Sequence, residues 1–181
     1  MADPSIEKVT KVDAARRQLS TAIRLFFDRR DTISIHTLVA AAQGIMHDLL
    51  TKQAPDKGSF LKTAIVVRPD KKDEYFKLIT DAQNFFKHAD REPADAVLDF
   101  YPEAIEFSIL DVVDMLQRYT RRHQPDAIVY LLWFVLKRPG ILEPNELLQR
   151  LTQRIQARTE GLTDGGRKQR FLEMLDALDL G

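Results

Sequence analysis

Ten consecutive apolar residues, Ala127 to Leu136, constrain the fold of this chain more than any other stretch. Crossing a bilayer takes roughly 20 such residues, so the run reads as a core element and not as a membrane anchor. Its β-branched and aromatic content suits a strand as well as a helix. The segments around it have helical spacing, so the expected element is a central buried helix, about Asp126 to Lys137, ended by Pro139-Gly140. The rest of the chain must then wrap it.

Apolar residues three and four apart mark the wrapping elements. Val12, Ala15, Leu19, Ala22, Ile23 and Phe26 give a first helix, about Val12 to Arg29. Ile35, Leu38, Val39, Ala42, Ile45, Met46 and Leu49 give a second, about Ser34 to Lys52, capped by Thr32 or Ser34. The short charged break between them predicts a helical hairpin. Residues 53 to 70 read as irregular, with turn chemistry at Ala54 to Gly58 and either a short helix or an extended piece over Ser59 to Val67, where Ile65 to Val67 favour the latter. A third helix is expected from about Asp70 to Ala89, burying Tyr75, Phe76, Leu78, Ile79, Ala82, Phe85 and Phe86. A fourth spans about Pro102 to Arg121, a sixth runs from Glu143 to about Glu160, and a seventh spans about Arg167 to Leu178, set apart by Thr163 to Gly166. The fold class is therefore an all-α bundle of about five to seven helices. Residues 1–140 form its core and 141–181 a C-terminal helical hairpin, read as part of the same domain.

A chain of 181 residues is long enough for one domain with a substantial core. Its 27 Lys and Arg balance its 27 Asp and Glu, so bulk charge draws it to neither nucleic acid nor anionic membrane. It has no cysteine, which excludes disulfides, thiolate metal sites and a cysteine nucleophile. The polar N-terminus lacks the apolar stretch of a signal peptide, and a cytoplasmic location is the expectation. Phosphate loops, HExxH, GxSxG and a di-iron carboxylate pattern are all missing.

Gln83-Asn84-Phe85-Phe86-Lys87-His88-Ala89-Asp90, at the end of the third helix, is the one stretch with motif character. A helical hairpin followed by a helix ending in N-x-x-x-H resembles the HEPN superfamily of small helical domains. The resemblance covers helix order from about Val12 to Tyr119, and Asn84 and His88 match the family's asparagine and histidine. Many members are ribonucleases, and members often dimerise. The position of the family's motif arginine holds Gln83, which offers no charge to a phosphate.

Read from the residues alone, Asn84 and His88 share a helix face with Lys77 and Asp81. A histidine of near-neutral pKa there can serve as a general base on a ribose hydroxyl, with Lys87 or Arg91 balancing phosphate charge. Equally, the stripe is the solvated side of an amphipathic helix. His36 and His47 lie 11 residues apart on the second helix, roughly 16 Å, too far to share a metal ion. His47 and Asp48 join His88 in a polar cluster if the second and third helices pack side by side. Arg150, Arg154 and Arg158 form a basic ridge, extended by Arg167, Lys168 and Arg170. Glu103, Glu106, Asp111 and Asp114 read as scattered decoration of the fourth helix, and Trp133 as core.

The expected function is a noncatalytic binding or interaction domain, with Asn84, Lys87, His88, Arg91, His47 and Asp48 as ligand-binding candidates. RNA, a nucleotide or a protein is the partner class. The alternatives are a metal-independent HEPN-type ribonuclease with His88 as base and Asn84 orienting the phosphate, and a scaffold without a small ligand. No cofactor or metal is expected. The family resemblance and the small-residue patch Ala40 to Gly44 together predict a homodimer.

Overall fold

Side-chain caps decide where the helices begin. In the computed structural model, which describes residues 6–63, 70, 80–88, 90–91, 93–142 and 146–179, Thr10 Oγ1 accepts from Asp13 N at 3.1 Å and opens α1, Lys11–Phe27. Arg29 then takes a left-handed conformation (φ 55°) that turns the chain. Asp31 accepts from Ser34 N at 2.7 Å and starts α2, Thr32–Thr51. The cap is thus Asp31 and neither Thr32 nor Ser34, the two expected, because a carboxylate there reaches an unpaired amide of the first turn.

A 3₁₀ turn, Pro55–Lys57, leads into a single helical turn, α3, Phe60–Thr63. Part of the stretch expected to be irregular is therefore helical, held by contacts described below. Residues 80–85 are helical and the segment stops there, ahead of the expected end at Ala89. The start of that third helix, with Tyr75, Phe76, Lys77, Leu78 and Ile79, lies outside the described residues, as do Ile65 to Val67 and Glu143 to Asn145.

Four longer helices follow in order: α4 (Ala104–Thr120), α5 (Pro125–Lys137), α6 (Glu146–Thr159) and α7 (Asp164–Asp179). The expected break at Thr163 to Gly166 is instead the first turn of α7. Thr163 Oγ1 accepts from Gly166 N at 3.1 Å, which draws both glycines into the helix. Among the described residues there is no strand, and no helix is long and apolar enough to cross a membrane. The fold is an all-α bundle.

The apolar run is α5, and it carries the core. Tyr130, Trp133 and Phe134 are buried there with Phe26 and Phe27 of α1. Phe26 meets Trp133 edge-on at 4.8 Å between centroids, an arrangement the ring quadrupoles favour. Phe171 and Leu175 of α7 enter the same core, and Phe171 stacks on Phe27 at 5.6 Å. The last helix thus packs into the core of its own chain. The run is not enclosed on every side, however. Ile128 and Leu131 are only half-buried, and Leu131 faces a cleft.

Two carboxylates of α4 correct the reading of that helix. Glu106 and Asp111 are buried, not surface decoration. Glu106 Oε1 accepts from Lys137 Nζ at 2.6 Å, and Oε2 takes Arg138 Nε and Nη2 at 2.9 and 2.7 Å. These bonds tie α4 to the end of α5. Tyr130 adds a buried bond from its hydroxyl to the Glu106 carbonyl at 2.7 Å. A carboxylate can sit inside when cations and donors surround it.

Candidate functional site

Asp111 organises the polar side of the site. Its Oδ2 accepts from Gln43 Nε2 of α2 at 2.7 Å and from the Ser59 hydroxyl at 2.5 Å, while Oδ1 accepts from Phe60 N at 2.9 Å. Ser59 Oγ in turn accepts from Lys62 N at 2.9 Å and caps α3. Burial pushes the Asp111 carboxyl above its ordinary 3.8, and the three donors pull it back. Arg118 holds the preceding turn by donating to the carbonyls of Lys57 and Gly58 at 2.6 and 3.1 Å.

His47 completes the clamp. Its Nδ1 accepts from Ser59 N at 3.0 Å, so the neutral ring carries its proton on Nε2. Gly58 packs so closely on this ring that a Cβ would lie 2.5 Å from Nδ1. Only glycine leaves room for the contact.

Beside this clamp opens a cleft of about 840 Å³. Ala40 of α2, Phe107 and Leu110 of α4, Leu131 of α5 and Phe100 make most of its wall apolar. Residues 97–101 form one lip with alternating exposure: Val97, Asp99 and Tyr101 face out, while Leu98 and Phe100 turn in. His36 closes one end, its ring edge-on to Phe86 and Phe100 at 5.5 Å from each. Burial and the nearby Lys87 ammonium lower its pKa below 6.5, so it is neutral at pH 7.

The residues singled out from sequence divide into two groups. Lys87, His47 and Asp48 are linked electrostatically through Lys62, a residue that no sequence signal singled out. The Lys62 ammonium is half-buried and its pKa is lowered, first by burial and also by Lys87, against the pull of Asp48 and Asp111. Asn84, His88 and Arg91 lie along the chain end of the 80–85 segment. The Asn84 carbonyl accepts from Lys87 N and His88 N at 3.1 and 3.0 Å, His88 is half-buried beyond the helical residues, and Arg91 is exposed. Gln83, the residue at the motif arginine's position, lines the cleft. His36 and His47 turn to different neighbours, the cleft and the Ser59 amide. Among the described residues, no group of three His, Asp or Glu side chains is placed to hold a metal ion.

Acid is expected to loosen this region. Burial, with Lys62 nearby, lowers the His47 pKa below its ordinary 6.5. Between that lowered value and 6.5 the folded chain binds fewer protons than the unfolded one. The contribution is therefore complete above pH 6.5 and is lost as pH falls through the window, when a proton on Nδ1 removes the acceptor for Ser59 N. His36 acts in the same sense, and Asp111, with its raised pKa, in the opposite one. Thermal melts at pH 7.5 and 5.5 check this: wild type is expected to lose stability with acid, and His47→Gln to show a flatter dependence. Equal slopes for the two proteins would remove His47 from the account.

Comparison of the chain with protein-family models, curated proteins and solved structures finds no match.

Proposed function

We propose that the chain is a noncatalytic binding domain whose ligand lodges in the cleft between α2, α4 and the 97–101 lip. The observation that carries this reading is the cleft itself: about 840 Å³, walled mainly by apolar side chains, with a few polar groups at its edges. Large apolar clefts of this size are where proteins usually take ligands. The similarity to HEPN domains supports a partner-binding module, and Gln83 in the place of an arginine favours binding over cleavage. A cytoplasmic homodimer belongs to the same proposal. It rests on the resemblance, because Ala40, Ala42 and Gln43 of the small-residue patch are buried inside the chain.

Titration with the uncharged apolar dye N-phenyl-1-naphthylamine tests the site. Ala104 lines the cleft yet is exposed, so Ala104→Trp fills space without touching the core. Wild type is expected to give saturable fluorescence, and Ala104→Trp to bind at least about tenfold more weakly, a loss of about 1.4 kcal/mol. Circular dichroism confirms that both are folded. Identical titrations would show that the cleft is not the site. In a parallel assay neither wild type nor His88→Ala is expected to cleave RNA. Cleavage by wild type that disappears in His88→Ala would replace this reading with the ribonuclease.

A further inference from the structure

Charge is distributed unevenly around the cleft. Asp81, Asp99 and Asp114 line it, and among the described lining residues there is no lysine or arginine. Asp114 is tied to Arg118 at 2.7 Å, whereas Asp81 and Asp99 make no ion pair among the described residues. The lip extends the pattern, since residues 93–103 carry Asp95, Asp99 and Glu103 and no basic residue. Lys62 and Lys87 are outside the lining, and Lys87 is near enough to His36 to lower its pKa. An anionic partner such as RNA would meet the Asp81 and Asp99 carboxylates at this opening.

Apolar surface also continues past the mouth. Tyr101 and Ile141 line the cleft while remaining 61% and 51% exposed, and Val97, one residue from Leu98 of the wall, is 92% exposed. A small molecule held inside would leave these side chains in water. A longer apolar ligand covers them and the cleft together, as when a helix lays its apolar face into a groove.

We propose that the cleft is a docking groove for a positively charged amphipathic helix of a partner protein. Its apolar face fills the cleft and covers Tyr101, Ile141 and Val97, while its lysines and arginines meet Asp81, Asp99 and the acidic lip. This partner assignment rests on the cleft being the binding site. The charge pattern then selects the sign of the helix, and the apolar rim selects a helix over a compact small molecule.

The test uses two labelled peptides of about 16 residues, roughly 24 Å of helix, with the same leucine stripe and either lysine or glutamate on the polar face. Fluorescence anisotropy with the full chain is expected to show the lysine peptide binding at least about tenfold tighter than the glutamate peptide. The Asp81→Asn/Asp99→Asn double variant is expected to shrink that difference to about threefold, and added salt to weaken the lysine peptide. Ala104→Trp is expected to block it. Equal affinity for the two peptides, no lysine-peptide binding at a concentration on the order of 100 μM, or binding untouched by Ala104→Trp would each overturn the helix. Dye binding that Ala104→Trp abolishes, without peptide binding, would keep the cleft and return it to small apolar ligands. Dye and peptide both indifferent to Ala104→Trp would remove the cleft as well.

Discussion

Replacing Asp111 by alanine is expected to lower stability by about 3–5 kcal/mol, the range for losing a buried group with several partners. One carboxylate accepts from Gln43, Ser59 and the Phe60 amide, which belong to α2, the loop and α3. Alanine leaves all three donors facing a space that water cannot easily fill. For a chain of this length the melting temperature would fall by about 6–20 °C. Asp111→Asn keeps the volume and one acceptor oxygen but turns an NH₂ group toward a donor, so an intermediate loss is expected. The measurement is thermal or urea unfolding of the three proteins. If alanine costs less than about 1 kcal/mol, Asp111 does not hold α3. The dye titration adds a second readout, because α3 supplies Phe60 and Leu61 to the cleft wall.

A loss of similar size is expected for Phe171→Ala, for a different reason. Phe171 is fully buried, stacks on Phe27 and belongs to the same cluster as Trp133. Truncating a core phenylalanine removes its transfer free energy and leaves a cavity, together about 3–5 kcal/mol. Leu172, one position on and half-buried, should tolerate alanine better. Denaturant melts of the two variants separate the cases, and a single cooperative transition in wild type would show that α7 unfolds with the rest. Were Phe171→Ala as mild as Leu172→Ala, α7 would be an attachment and not a pillar.

Helix faces were legible because periodicity is a local signal. The spacing of Leu19, Ile23 and Phe26, or of Ile35, Val39 and Met46, identifies the buried side without knowing what covers it. Trp133 was readable as core for the same reason. Glu106 and Asp111 were not, since their charges argue for solvent and the partners that reverse the argument lie 31 and 68 residues away in sequence. Thr163 to Gly166 read as a break, with the start of α7 placed at Arg167, because Gly165-Gly166 is poor helix chemistry and the Thr163 cap that offsets it shows only in the structure. The site was the least legible part. Its wall collects residues from α2, α3, α4, α5, the 80–85 segment and the 97–101 lip, and the motif stretch gives it Gln83 but neither Asn84 nor His88. His47, Asp48 and Lys87 were chosen for their chemistry and none of them lines the cleft, while Lys62, whose pKa Asp48 and Lys87 shift, lay in a stretch read as irregular.

Leu131 forms part of the cleft wall, while Trp133 and Phe134, two and three residues on, sit in the aromatic core. This molecule therefore has no inert scaffold standing behind a separate recognition layer. A substitution that rolls α5 slightly to relieve crowding at Trp133 also swings Leu131 and reshapes the opening. Drift in the core and drift in the shape of the cleft are mechanically the same event along that helix. Lineages that repack it inherit a different groove whether or not selection asked for one.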